Sequence, residues 1–195
     1  MKSNLQLLAH LVVFIFLATS CFADEITFNG TEPDGAFTFH PIGTTLFEGD
    51  FQIEITEEDI FTVDNDFDPG LAPADDDVLF FQLDSDVTIS RIDGQEFSFN
   101  SVDLIGSFGG SGTLLFVGNF LNGGSISGTA DAVEGALTTT AFSGFDELVS
   151  LDIVQRDTDG NFLSVDTIRL NQIPEPGSLG LLSVCGIALL ARRRK

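Results

Sequence analysis

The chain has no tryptophan and no tyrosine, a single methionine, two histidines and two cysteines. Each scarcity excludes something. Both cysteines, Cys21 and Cys185, lie in apolar end segments, so the stretch between them has no disulfide, no cysteine-based zinc site and no thiol nucleophile. His40 is the only histidine outside the first 23 residues. A Ser-His-Asp arrangement would have to use it, and Phe39-His40-Pro41 sits beside no serine nucleophile motif. A Gly-rich phosphate loop, an HExxH helix and a Cys/His cluster are all missing. Basic residues are rarer still. Of eight, only Arg91, Arg156 and Arg169 fall within positions 24–173, against 29 of the 30 acidic residues, a net charge of −26. Such a field repels nucleic acid and anionic lipid and favours solubility and divalent cations, so nucleic acid is excluded as a partner.

What is present begins with two processing signals. Lys2 precedes an apolar run over residues 7–18, broken only by His10, and Cys21-Phe22-Ala23 follows with small residues where a signal peptidase needs them. Residues 1–23 read as a signal peptide, helical in its apolar part, cleaved after Ala23 to leave Asp24 first. A lipoprotein signal acylated on Cys21 is the rival, but Ala18 stands where such signals carry Leu. At the other end come Pro174-Glu175-Pro176, an apolar stretch over 177–191, and Arg192-Arg193-Arg194-Lys195. Two prolines one residue apart lack backbone donors and hold the chain extended, a shape that suits a protease cleft. The apolar stretch would span about 22 Å as a helix, short of a ~30 Å hydrocarbon layer, although snorkelling arginines cover part of the deficit. The four terminal cations would stop it on the cytoplasmic side, with the acidic domain outside.

This ordered tail, residues 173–195, resembles the PEP-CTERM sorting signal. The resemblance implies an exosortase-like membrane protease as partner, a transient stay in the inner membrane, and release or attachment at the surface of a bacterium that makes exopolysaccharide. A plain membrane anchor with an incidental Pro-Glu-Pro is the alternative.

Between the signals, residues 24–172 leave roughly 150 residues, a common domain size. The high acidity does not bring disorder, because 20 Phe and plentiful Ile, Val and Leu can form a core. Short runs of β-branched and aromatic residues at 51–55, 78–83, 87–89, 96–105, 113–117, 125–130, 137–142, 148–154 and 162–170 are separated by Gly, Asn and Asp turns. The pattern predicts an all-β antiparallel sandwich of about ten strands, of jelly-roll type. One short helix is expected at 56–60. Twenty Phe can fill the sandwich core, whereas exposed Phe makes a poor wet binding surface.

The segments 98–104, 145–151 and 164–168 resemble the jelly-roll domains of PEP-CTERM proteins, which are themselves similar to carbohydrate-binding modules. That resemblance implies a structural calcium held by Asp166 together with Gly30 and Glu32. The other reading of Asp166 is a surface residue of an edge strand. Separately, Asp64-x-Asp66-x-Asp68 with Asp75 at the twelfth position has calcium-loop spacing, but Pro69 stands where an EF-hand requires Gly. This is a loosely calcium-binding loop or a solvated one, and neighbouring Asp76 and Asp77 either join it or start the next strand.

The function expected is that of an exported, non-enzymatic cell-surface or extracellular-matrix protein. A glycan-binding module of the exopolysaccharide matrix is the alternative, weakened by the lack of Trp and Tyr to stack on sugar rings. A hydrolase using paired carboxylates comes third.

Overall fold

Apolar side chains alternate with polar ones along most of the described chain, and that period of two decides the architecture. The computed structural model describes residues 24–29, 35–67, 71, 74, 77–82, 84–107, 110–156 and 162–171. The signal segment with Ala23, the tail with Pro174, Glu175, Pro176 and Arg192 to Lys195, and the implied ligands Gly30, Glu32, Asp68 and Asp75 lie outside the described residues.

Thirteen strands occur among the described residues: β1 (Asp24–Ile26), β2 (Phe37–His40), β3 (Thr45–Glu48), β4 (Phe51–Glu57), β5 (Ile60–Val63), β6 (Val78–Phe81), β7 (Asp86–Arg91), β8 (Phe99–Ser107), β9 (Gly112–Phe120), β10 (Ser125–Ala132), β11 (Thr138–Ala141), β12 (Leu148–Gln155) and β13 (Phe162–Leu170). They form two antiparallel sheets. Sheet A runs β11-β8-β13-β6-β5-β2, with β1 added to β13, and sheet B runs β10-β9-β12-β7-β4-β3. Most connections carry the chain from one sheet to the other, the wiring expected of a jelly roll.

The helix expected at 56–60 is absent. Residues 51–57 are strand, Ile60 begins the next, and Glu58 turns the chain with φ 49°. The bend takes the chain from sheet B to sheet A, and the backbone N–H of Ile42 donates to Asp59 Oδ1 across it at 3.0 Å. A charged stretch with no apolar stripe for a helix to bury takes the connection the sandwich requires.

The core lies between the sheets. Phe51, Ile53 and Ile55 of β4 point inward, as do Val87 and Ile89 of β7, Leu114 and Phe116 of β9, and Leu151 and Ile153 of β12. Phe99 stacks on Phe116 with centroids 5.3 Å apart, packs on Phe142 at 4.5 Å and meets Phe145 edge-on at 5.6 Å. Two strand glycines admit this cluster. A Cβ on Gly118 would stand 2.7 Å from a Leu148 methyl, and one on Gly128 would stand 2.8 Å from the Phe142 ring.

Strand β6 is buried on both faces for a visible reason. Leu79 and Phe81 enter the main core, while Val78 and Phe80 join a second cluster outside sheet A with Val63, Leu71, Ala74 and Ile105.

Ion pairs tie strands distant in sequence. Arg169 Nη2 donates to Asp103 Oδ2 at 2.7 Å, and Thr139 Oγ1 donates to Asp103 Oδ1 at 2.6 Å, joining β13, β8 and β11. Burial pushes the Asp103 carboxyl up, but the hydrogen bonds from Arg169 and Thr139 outweigh it and hold the group below its ordinary 3.8. A folded-state pKa below the unfolded one gives a contribution that is complete above the ordinary carboxylate pKa and lost as pH falls through the folded value. Replacing Asp103 by Asn should therefore lower stability by about 2 kcal/mol at neutral pH and flatten the acid limb below about pH 4. Denaturant midpoints from pH 2 to 7 check this; an unchanged acid limb would refute it.

Candidate functional site

Sheet B turns a polar face to solvent. Its ladder registers align one complete row across six strands: Thr45, Glu54, Thr88, Asp152, Val117 and Ser127. Beside it lie Phe47 opposite Gln52, Gln52 opposite Ser90, and Ser150 opposite Asn119. Hydrogen bonds fix these side chains in place. Thr88 Oγ1 donates to Asp152 Oδ1 at 2.8 Å, Asn119 Nδ2 donates to Asp152 Oδ2 at 2.8 Å and to Ser150 Oγ at 3.0 Å, and Gln52 Nε2 donates to Ser90 Oγ at 3.0 Å. Phe47, 66% exposed, borders this face. The result is a flat surface of amide, hydroxyl and carboxylate groups beside one open aromatic ring.

Sheet A turns out a different face. Phe37, Phe61, Val63, Phe67, Phe80, Gln82 and Phe162 line a depression of about 320 Å³. Phe37 lies 5.1 Å from Phe67 and 5.8 Å from Phe61, and Phe80 stacks on Phe162 at 5.2 Å. Not every phenylalanine enters the core: Phe37, Phe39, Phe47 and Phe67 are exposed. The aromatics of β2 and β5 alternate onto the outer face because Ile60 and Thr62 take the inward positions.

Of the calcium candidates, Asp166, Asp64 and Asp66 are described. Asp166 is only 2% exposed and lies in β13, an interior strand, so its reading as a surface residue of an edge strand is overturned. It sits at a break in the ladder. Val165 pairs Leu104 and Thr167 pairs Asp103, leaving Asp166 as the extra residue of a bulge. On the other edge β6 pairs β13 only at Leu163–Val165 and β1 only at Ile168–Leu170. Thr167 Oγ1 donates to Asp166 Oδ2 at 3.0 Å.

Asp64 is also buried. Its Oδ1 accepts the backbone N–H groups of Gly35 at 2.8 Å and Asp66 at 2.9 Å, so that carboxylate holds a turn, while Asp66 is exposed. Val63 pairs Val78, so Asp64 and the fully buried Asp77 each lie one residue beyond the same ladder step. Among the described residues, no three His, Cys, Asp or Glu side chains are grouped to hold a metal ion.

His40 Nε2 lies 2.8 Å from Thr62 Oγ1 on the neighbouring strand. Asp93 and Asp103 both titrate below the ordinary carboxylate pKa. The Arg91 hydrogen bond draws Asp93 down to about 2. The polar row of sheet B escaped the sequence reading because only ladder register sets Asp152 opposite Thr88 and within reach of Asn119, which pairs Ser150. The alternation of 51–55 already assigned Gln52 and Glu54 to one outer face.

No curated protein matches the chain. Solved structures share the sandwich at low similarity. TmCBM61 in complex with beta-1,4-galactotriose has a TM-score of 0.40 at 10% identity, covering 61% of this chain and 86% of that chain. The family 32 carbohydrate-binding module from C. perfringens NanJ in complex with galactose has 0.41 at 11%, covering 68% and 99%. An exo-beta-agarase has 0.43 at 10%, covering 74% and 24%. Likeness at this level carries nothing of those proteins' ligands or activities to the chain. One segment is matched as a family: residues 172–195 are a PEP-CTERM protein-sorting motif, which implies an exported protein handled by an exosortase.

Proposed function

We propose that the protein is a non-enzymatic component of the cell surface or extracellular matrix. In this reading its leader is removed after Ala23, its tail holds it in the inner membrane until an exosortase-like protease acts at Pro174-Glu175-Pro176, and the acidic sandwich is what is delivered. The sorting motif at 172–195 carries the reading.

Binding of neutral glycan is the second reading, and the outer face of sheet B favours it. Its preorganised hydroxyl, amide and carboxylate groups suit sugar hydroxyls, and Phe47 offers one ring for stacking. Calcium belongs to the proposal as a structural ligand at Asp166, with Gly30 and Glu32 as further donors. A buried carboxylate on a domain of charge −26 suits a hard divalent cation.

Three measurements test these statements. In cells with an active exosortase, intact mass should show a chain beginning at Asp24 and truncated near the motif. Replacing Pro174, Glu175 and Pro176 together should leave the tail on; a wild-type chain still ending at Lys195 would sink the sorting reading. On a glycan array, the exported domain should give a saturable, sugar-specific signal that Asp152→Ala weakens about tenfold, the loss of roughly one charge-assisted hydrogen bond. A flat array removes the glycan reading. Finally, a site filled at 100 times its dissociation constant adds about 2.7 kcal/mol, so calcium should raise the melting temperature by several degrees over magnesium at fixed ionic strength. Asp166→Asn should abolish that difference; equal effects of both cations in both chains would remove calcium.

A further inference from the structure

Strand β10 closes sheet B on one side, and among the described residues no further strand pairs its far edge. The other edge strands are short: β2, β3 and β11 have four residues each and β1 has three. β10 has eight, and its register with β9 runs from Ser125 to Ala132 without a bulge. An open strand edge is a row of backbone donors and acceptors, and proteins ordinarily blunt one with lysine, proline, a bulge or brevity. β10 has none of these.

The hairpin sets which groups are offered. The Phe120 N–H donates to the Gly124 carbonyl at 3.2 Å, so the alternation of the ladder turns the N–H and C=O of Ser125, Ser127, Thr129 and Asp131 away from β9. Thr138 Oγ1 donates to the Asp131 carbonyl at 2.9 Å, which leaves the stretch 125–129 open. The side chains of Ser125, Ser127 and Thr129 stand exposed on the outer face of sheet B.

Charge and exposed apolar groups then select the partner. Residues 104–130 carry no charged side chain, and neither do residues 135–145, which include β11, the edge of sheet A whose Thr138 reaches β10. In a domain of net charge −26, two copies can approach through this side without setting carboxylate against carboxylate. Exposed apolar side chains flank the strand: Leu121, 76% exposed, in the turn before it, and Val133 and Leu137 after it. Pairing β10 antiparallel with itself brings the Leu121 end of each copy beside the Val133 end of the other.

We infer that β10 is a homodimer interface: two copies pair it antiparallel about a twofold axis at Gly128, joining their B sheets into one. In this register Ser127 exchanges backbone hydrogen bonds with Thr129 of the second copy, and Ser125 lies opposite Asp131, a hydroxyl donor facing a carboxylate. The two Asp131 carboxylates stay at opposite ends of the ladder. A contact of this kind is self-complementary and closes at two copies.

The test uses the full-length chain in a mild detergent, with Kd read by sedimentation velocity. Wild type should dimerise, and more tightly as salt rises from low to physiological strength, because screening relieves repulsion between the acidic domains. Thr129→Pro removes an outward N–H at an edge position that tolerates proline within a single copy, and Ser127→Asp sets a carboxylate on the contact. Each should weaken dimerisation about tenfold or more, the loss of one or two hydrogen bonds, while melting of the dilute chain changes little. Thiol crosslinking separates this contact from association through the apolar tail. With Cys21 and Cys185 replaced by Ser, a chain carrying Ser127→Cys should join one carrying Thr129→Cys under mild oxidation, and not one carrying Thr45→Cys on the opposite edge of the sheet. A monomeric wild type, a dimer indifferent to Thr129→Pro and Ser127→Asp, or crosslinking that does not distinguish Thr129→Cys from Thr45→Cys overturns the inference.

Discussion

Backbone hydrogen bonds of β13 hold sheet A together, and much else depends on them. The strand pairs β8 from Phe162 to Leu170 along one edge, and on the other it pairs first β6 and then β1. Its inward residues Leu163, Val165, Ile168 and Leu170 are fully buried in the main core. The strand nearest the C-terminal sorting motif is thus among the most deeply embedded, and β1, only three residues long, is held in the sheet by it. A short strand has little stability of its own and takes its order from the partner. The Asp166 bulge falls at the step where that partner changes from β6 to β1.

Electrostatics follow the same economy. Three arginines serve a domain with 29 acidic residues; Arg156 and Arg169 tie strands together, while Arg91 takes Asp93, two residues on, as its nearest partner. Arg91 grips Asp93 through two nitrogens and lies 5.6 Å over the Phe51 ring, with Asp24 and Asp50 nearby. Arg156 grips Asp86 and reaches Glu57. Arg169 bridges Asp103 and Glu25. Planar guanidinium groups suit such double contacts where lysine would supply a point charge, and lysine is missing between residues 2 and 195. Many of the remaining carboxylates face water, where they oppose association between copies of the domain.

The two outer faces divide the surface by chemistry. Sheet B presents locked polar side chains, and sheet A presents a phenylalanine-lined depression at its β2 end. The same alternation produces both: the residues that do not enter the core go out, and they are Gln, Glu, Thr and Asp on β4, β7 and β12 but Phe on β2 and β5.

By itself the sequence determined the C-terminal sorting motif and the class of fold. Pro174-Glu175-Pro176 with its apolar and basic followers is a linear signal, legible because a protease reads chain rather than surface. Strand β4 and strands β6 to β13 were legible because apolar alternation is a local property, and Phe162–Leu170 was delimited to the residue. The tertiary structure decided the rest. Strands β1, β2, β3 and β5 are only three or four residues long, too short for a period to show, and they form because a neighbour supplies their hydrogen bonds. The stretch at 56–60 turned from an expected helix into an inter-sheet bend. Asp64 and Asp77 come together beyond one end of the β5–β6 ladder, and the Asp24–Asn171 bond joins positions 147 apart. Such contacts depend on ladder register, which is set by how two whole sheets pack and is not written in any local stretch of chain.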